Sequence, residues 1–256
     1  MIHFFRRIRQ TLVKEGKFRK YLLYAFGEVA LVMIGILLAL QVNNWNEQRK
    51  ERREELVLLN NLLDEFRSNQ MVFEEINRFK TETKEKWDNF LPIIADDKSS
   101  LSERAHKRPN NGAIKFNTSN SVVNSILTSG KLDIISNDSL KQHISSWNDV
   151  LNAYREIESR HINLVENNLR QYEIKNRIIE DYDGLGFYFS NPFYTHTSET
   201  EHEERMLRIN QDPEYQNLLL LNYMWLHLIN QRADLLDQGF KKIVDLLENE
   251  INTKTK

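Results

Sequence analysis

Glu28 is the side chain whose position most demands a chemical explanation, because it lies within a mostly apolar run, residues 21–42. An acid inside a bilayer costs roughly 2.5 to 3.5 kcal/mol at the centre of a helix, so it needs a partner or a proton. Gly35 and Ala39 fall near the same helical face, and small residues four positions apart let two helices approach closely. The pattern predicts a contact between transmembrane helices through Glu28, Gly35 and Ala39.

Two other interpretations of Glu28 stay open. The residue is either part of a proton or ion relay, or a protonated side chain that the membrane tolerates. A relay would need several copies of the chain or another subunit, because one carboxylate on one helix builds no pathway.

Candidate metal ligands occur in the second half of the chain. His196 and His202 lie among several Glu residues, but Met206 occupies the place where a zinc-protease motif beginning at His202 would have its second His. The segment 181–184 begins like a calcium loop, yet the run of oxygen ligands ending in Glu is absent. We therefore predict no metal site and a solvated turn at residues 181–184.

Six aromatic residues crowd one predicted loop and form the remaining candidate site. They are Tyr182, Phe187, Tyr188, Phe189, Phe193 and Tyr194. Such a loop either binds a partner or ligand, or folds back to cover the end of a helical bundle. Neither a Gly-rich phosphate loop nor a G-x-S-x-G motif is found, and we assign no catalytic residue and no cofactor-binding residue. We therefore expect a protein that is not an enzyme and has no cofactor.

Composition narrows the class of protein further. The formal net charge of −2 gives no basic field for a nucleic-acid backbone, so nucleic acid is not an expected partner. The absence of Cys removes disulfides, thiolate metal ligands and a cysteine nucleophile. Outside the apolar run, about 200 residues are left, enough for one domain with its own core.

The apolar run itself predicts a transmembrane helix over residues 21–42. At about 1.5 Å per residue it spans roughly 33 Å, which matches the hydrocarbon thickness of a bilayer. Tyr21 and Tyr24 stand at one end and Trp45 at the other, where aromatic side chains favour the headgroup region. A cleaved signal peptide fits less well, because no A-x-A-like site follows, and a buried core helix would carry a polar stripe.

The basic residues around this helix predict its orientation. Residues 1–20 form a basic amphipathic flank that either lies along the headgroups or is simply a charged flank. Seven basic residues precede the helix and four follow it closely: Arg6, Arg7, Arg9, Lys14, Lys17, Arg19 and Lys20, against Arg49, Lys50, Arg52 and Arg53. By the positive-inside rule the N-terminus is cytoplasmic and residues 43–256 form a helical domain in the periplasm.

Long intervals without Gly or Pro predict long helices, and we recognise no strand pattern. The first helix should continue past the membrane until Pro92, and Asp96 to Thr118 should form the longest loop. Gly130 and the cap Asn137 should mark a corner, and a second long helix should run to about Asp181. Helices near Ser198 and after Asp212-Pro213 should complete the chain. The predicted fold is all-α, with one transmembrane helix followed by a bundle of long antiparallel helices.

Apolar residues at three- and four-residue steps predict which faces are buried. The first helix offers Leu56, Leu59, Leu63, Phe66, Phe73, Ile76, Trp87 and Phe90, interrupted by Gln70 and Lys80. The second offers Leu140, Ile144, Trp147, Leu151, Tyr154, Ile157, His161, Leu164, Asn168 and Tyr172. The last offers Leu218, Leu221, Trp225, Leu228, Arg232, Leu235, Gly239, Ile243 and Leu246. His161 is interpreted as a hydrogen-bonded packing residue.

The anchor and one corner resemble an uncharacterised family of bacterial single-pass membrane proteins, a domain of unknown function. The similar segments are KYLLYAFGE at 20–28, GI at 35–36, ALQ at 39–41, NWN at 44–46 and SGKL at 129–132. The resemblance implies a membrane-anchored, mostly helical protein of about this length. It implies no activity, cofactor or catalytic residue.

These observations favour a membrane-anchored, non-enzymatic interaction or scaffold protein in the bacterial inner membrane. Its expected partners are membrane lipid and either further copies of itself or another membrane protein. The alternative is a periplasmic ligand-sensing bundle. Because the 20 residues before Tyr21 are too few for an output domain, such a sensor would signal through a partner protein.

Overall fold

A computed structural model describes residues 18–95, 113–176 and 199–255, together with Pro109 and Ile178. These residues contain six α-helices and no β-strand, which confirms the all-α prediction. The helices are α1 (Phe18–Ala95), α2 (Ser121–Ser129), α3 (Asp138–Leu164), α4 (Arg170–Lys175), α5 (Glu199–Gln211) and α6 (Pro213–Thr255). Several predicted features lie outside the described residues: most of the basic flank, most of the predicted loop 96–118, the aromatic loop 182–194 and His196.

The chain divides into two compact units, Met1–Val57 and Leu58–Lys256. In the first unit, every residue from 31 to 54 is exposed, including the whole apolar stretch Leu31–Leu40. Among the described residues, α1 is the one helix long and apolar enough to cross a membrane. The second unit contains α2 to α6 and the last part of α1, and it holds the buried core.

Helix α1 is continuous for 78 residues, as the absence of Gly and Pro after the apolar run predicts. It ends at Ala95 rather than at Pro92, so the predicted end is three residues early. A proline removes one backbone donor and crowds the preceding turn. In the last turn of a helix this disturbs few remaining hydrogen bonds, and α1 therefore continues past Pro92.

Helices α1 and α3 run in the same direction, and α6 runs opposite to both. Four pairs of contacting residues establish this: Phe66 with Trp147, Lys80 with Glu158, Arg67 with Glu248, and Asp88 with Tyr223. Residue numbers along α1 and α3 rise together, whereas those along α6 fall. The bundle is thus antiparallel through α6, which packs against both other long helices.

The core of the second unit consists of two separate apolar clusters. The first cluster joins α1 (59–73), α3 (140–154) and α6 (229–247), together with Phe116, Ile135 and two residues of α2. The second cluster joins α1 (87–90), the segment 169–178, α5 (206–209) and α6 (215–226). The first cluster is mainly aliphatic, with a group of aromatic rings in which Phe240 makes edge contacts with Phe66 and Trp147. Between the two clusters α1 and α3 carry buried polar residues.

The buried face of α6 differs from the prediction by about one residue. Leu221 and Leu235, which the pattern placed inside, are 42% and 51% exposed. The buried residues are Tyr215, Leu219, Asn222, Leu226, Ile229, Ala233, Leu236, Phe240, Ile243, Val244 and Leu247. Because leucines stand side by side along α6, the predicted face and the observed buried face are both apolar. The observed face excludes Arg232 and includes Phe240. Ile243 belongs to both.

A π-helical turn, Val165–Leu169, lies where the buried residues of the second long helical stretch differ from the prediction. The prediction placed Leu164 and Asn168 inside, whereas Val165 and Leu169 are buried and Asn168 is exposed. The buried residues keep three- and four-residue steps through this turn, since Val165 and Leu169 lie four and eight positions after His161, and Tyr172 is buried as the pattern predicts. Regular helix then ends at Lys175, before the predicted end near Asp181.

The predicted helix boundaries around α2 and α6 are confirmed. Gly130 follows α2 in the left-handed region, with φ of 71°, which favours glycine. The side chain of Asn137 accepts the Leu140 N–H at 3.0 Å and so caps α3. Asp212 accepts the Glu214 N–H at 2.9 Å at the start of α6.

Glu65 on α1 caps α2 from another helix, an interaction that the sequence pattern does not reveal. Its carboxylate accepts the backbone N–H of Val122 at 2.9 Å and of Val123 at 3.2 Å, together with the Ser121 hydroxyl. A negative charge at a helix N-terminus satisfies free donors and interacts favourably with the helix dipole. Asn69, one turn further along α1, donates to the Ser119 carbonyl oxygen and accepts from the Ser119 N–H. These bonds fix α2 against α1.

Candidate functional site

The predicted helix-contact face lies in the exposed part of α1. Gly35 and Ala39 are exposed, and Glu28 is half-buried. A Cβ atom added at Gly35 would meet no atom within 4 Å, so this glycine is not required by packing within the chain. The three residues share one helical face, as the spacing predicts. A contact between membrane helices through this face stays a prediction.

A buried polar layer lies between the two apolar clusters along α1 and α3 and meets α6 within the second cluster. We define it by Lys80 on α1, Tyr154, Glu158 and His161 on α3, and Asn222 on α6. Each of the five residues is at most 3% exposed. This is a concentration of polar groups at the depth where a bundle normally places leucine.

The layer is built around an ion pair between Lys80 and Glu158. The Lys80 Nζ donates to the Glu158 Oε1 and to the Tyr154 hydroxyl, the latter at 2.8 Å. The Phe116 N–H donates to the same Glu158 oxygen at 2.9 Å. Because Phe116 is itself fully buried in the first cluster, Glu158 also fixes the non-helical segment before α2.

His161 and Asn222 join α3 to α6 in the same layer. The His161 Nε2 and the Asn222 Oδ1 are 2.8 Å apart. An amide oxygen accepts a hydrogen bond, so neutral His161 carries its hydrogen on Nε2. The prediction that His161 is a hydrogen-bonded packing residue is confirmed.

The apolar pattern of α1 does not reveal the role of Lys80 and counts it as an interruption. Lys80 nevertheless stands four residues after Ile76 and seven before Trp87, in register with that face. Glu158 stands four residues after Tyr154 and three before His161, in register with the buried face of α3. Opposite charges at core positions of two helices are the signal that identifies such a pair.

Burial dominates the electrostatics of the layer. It lowers the pKa of the Lys80 ammonium group, while the charge and hydrogen bond of Glu158 act in the opposite direction. Burial also raises the pKa of the Tyr154 phenol, and the negative charge of Glu158 raises it further. Tyr154 is therefore a neutral hydrogen-bonding group.

The layer is suited to aligning helices rather than to reacting with a solute. The side chains of Lys80 and Glu158 are 4% and 2% exposed, so a dissolved molecule does not reach them. Their polar atoms bind one another and the backbone of Phe116. Buried ion pairs of this kind contribute little net stability compared with apolar residues, but they are costly to leave half-formed.

A cleft of about 360 Å³ lies between α1 and α6, outside the layer. Its lining is polar: Asn77, Thr81, Lys84, Glu85, Asp88, Asn230 and Asp234. Lys84 pairs with Asp88 at 2.7 Å, and the Tyr223 hydroxyl donates to the other oxygen of Asp88 at 2.7 Å. No three His, Asp or Glu side chains within the described ranges are grouped as metal ligands would be.

One family model matches residues 28–163, and its description is "Family of unknown function (DUF6090)". The matched stretch includes Glu28 and Gly35, and Lys80 and Glu158 of the polar layer. Neither the curated proteins nor the solved structures contain a match to the chain.

Replacing Lys80 by Met should destabilise the second unit by about 3 to 5 kcal/mol, because the Glu158 carboxylate would stay buried without its cation. Adding Glu158→Gln to Lys80→Met should restore most of that loss, since glutamine can still accept from the Phe116 N–H. Denaturant titration of the full chain in detergent micelles measures both free energies of unfolding.

Lys86→Met is the matched control, because Lys86 lies on the exposed face of α1. This change should leave the free energy of unfolding nearly unchanged. Equal losses for Lys80→Met and Lys86→Met would contradict the role of the ion pair.

Proposed function

The chain belongs to the DUF6090 family of unknown function, and we propose that it is a membrane-anchored, non-enzymatic interaction or scaffold protein. The observation that carries this proposal is the uncovered apolar surface of α1. Thirteen large apolar side chains between Leu22 and Val42 are each more than half exposed. A soluble monomer rarely leaves a continuous apolar surface of this extent in water, so a membrane is its natural solvent.

The compartment and orientation are part of the proposal. The basic residues before and after the anchor favour a cytoplasmic N-terminus and a second unit in the periplasm of a bacterial inner membrane. Val29 to Leu40 carry no polar side chain, which supports a single span within residues 21–42. Membrane lipid is thus the first partner.

The absence of an enzymatic role is proposed from the construction of the second unit. Its most concentrated polar cluster, the layer around Lys80 and Glu158, is shielded from solvent and internally bonded. An active site needs reactive groups that a substrate can contact. The second unit instead offers a helical body suited to contacts with other proteins.

Association through the anchor is the proposed mode of assembly. Glu28 is stabilised if it faces another helix rather than lipid, and Gly35 with Ala39 lets that helix come close. The partner helix belongs either to a second copy of the chain or to another membrane protein.

A second candidate function is ligand sensing through a partner protein, and the cleft between α1 and α6 is the observation that favours it. Its volume lies within the range of small-molecule sites. Three carboxylates and one ammonium group line it, so a small solute with positive charge and hydrogen-bond donors would suit it best. Binding of such a solute that Asp234→Asn abolishes would favour sensing over scaffolding.

The proposed orientation predicts the behaviour of reporters fused after Lys256. A phosphatase that is active only outside the cytoplasm should be active there, and a fluorescent protein that folds only in the cytoplasm should stay dark. The opposite pair of results would reverse the orientation. Activity assays on whole cells supply the measurement.

The proposed contact face predicts that Gly35→Leu weakens association of the anchors, because a large side chain blocks close approach. Single Cys substitutions along residues 29–40 should form crosslinks in membranes with helical periodicity, and Gly35→Leu should reduce their yield. Glu28→Gln should have a smaller effect, since an amide still forms hydrogen bonds.

Gly27→Leu is the matched control for this experiment. Each residue turns an α-helix by about 100°, so Gly27 points away from the face that Glu28 and Gly35 share. Crosslinks without periodicity, or equal yields for the unsubstituted anchor and Gly35→Leu, would rule out the contact.

A further inference from the structure

His161 differs from His143 and His227 in its surroundings. It is 3% exposed, whereas His143 is half-buried and His227 is exposed. It lies in the polar layer, between Lys80 of α1 and Asn222 of α6. Its chemistry is therefore coupled to the packing of three helices.

We propose that the polar layer is a proton-sensitive element of the second unit, in which protonation of His161 loosens the packing of α3 against α6. The layer would respond to mild acid, and the signal would be a local opening between the two apolar clusters. This inference does not depend on the membrane-anchored function.

The charges around His161 explain why a proton is costly there. Lys80 faces it from α1, Glu158 stands beside it on α3, and α6 contributes the neutral amide of Asn222. The single carboxylate Glu158 already accepts from Lys80 and from the Phe116 N–H. An imidazolium at His161 would add a second buried cation without adding a second anion.

The bonding geometry determines where the proton would be taken up. Because the Asn222 Oδ1 accepts from the His161 Nε2, the additional proton goes to Nδ1. That proton needs an acceptor or water, and His161 is nearly sealed from solvent. Opening of the layer would expose this proton to bulk water.

The backbone hydrogen bonding of the helix is irregular next to His161. The π turn Val165–Leu169 begins four residues later, and the Val165 N–H is shared between the carbonyl oxygens of His161 and Ile162. Single π turns within α-helices interrupt the regular hydrogen bonds and often mark functional positions. The regular hydrogen bonding of the helix is therefore interrupted within about one turn of His161.

The direction of the pH dependence follows from the pKa of His161. Burial lowers this pKa most, and Lys80 lowers it further, against smaller opposing effects of Asn222 and Glu158. Once opened, the imidazole regains its ordinary pKa of about 6.5, so the open form binds the proton more tightly. Opening is therefore favoured as the pH falls below about 6.5, and the closed form is favoured at neutral pH.

Hydrogen–deuterium exchange of the full chain in detergent micelles tests the proposal. After correction for intrinsic exchange rates, lowering the pH from 7.5 to 5.5 should raise the opening equilibrium of segments 158–169 and 215–226 by about tenfold. Segment 59–73, in the first apolar cluster, should not change. His161→Gln should remove the acid response, whereas the matched control His227→Gln should keep it.

The proposal is overturned if the unsubstituted chain shows no rise, or if His161→Gln shows the same rise. Asn222→Asp supplies an independent variant in case His161→Gln does not fold. An aspartate at this position adds the second carboxylate that the layer lacks, so acid should no longer open it. A tenfold rise in Asn222→Asp equal to that of the unsubstituted chain would also overturn the proposal.

Discussion

The ion pair between Lys80 and Glu158 is the interaction on which the arrangement of the second unit depends. A buried charge is tolerated only beside its partner, so the pair allows only one register between α1 and α3. A slide by one helical turn would separate Lys80 from Glu158 and leave buried charges unpaired, at a cost of several kcal/mol. The same carboxylate holds Phe116, and through it the segment that leads into α2. One pair thereby fixes three parts of the chain.

The polar layer also explains why the core is divided. Aliphatic side chains and six aromatic ones fill the first cluster, and the second gathers Trp87, Tyr172 and Tyr215 around α4 and the ends of α5 and α6. His161 and Asn222 give α6 its own polar contact with α3. Hydrophobic burial supplies the driving force in both clusters, while the layer specifies which helix faces which.

Much of this fold could be predicted from the sequence, because the cause is local. The helices follow from intervals without Gly or Pro, and their ends are marked by Gly130 and by the caps Asn137 and Asp212. Each of these features acts on backbone within a few residues of itself, so the sequence places the helices correctly. The contact of Glu65 with α2 and the pairing of Lys80 with Glu158 join residues more than fifty positions apart. The face of α6 was ambiguous because leucines occur side by side, and the π turn at 165–169 has no simple sequence signal. The aromatic loop that seemed a candidate site lies outside the described residues.

The two units suggest a division of labour within one chain. The first carries an uncovered apolar helix that a membrane would solvate, and the second carries a sealed bundle with a proton-responsive layer. Membrane integration is the central claim, and alkaline carbonate extraction of membranes from cells that express the full chain tests it most directly. The chain should stay with the membrane pellet, while the same chain without residues 1–46 should appear in the soluble fraction. Release of the full chain into the soluble fraction would contradict the account.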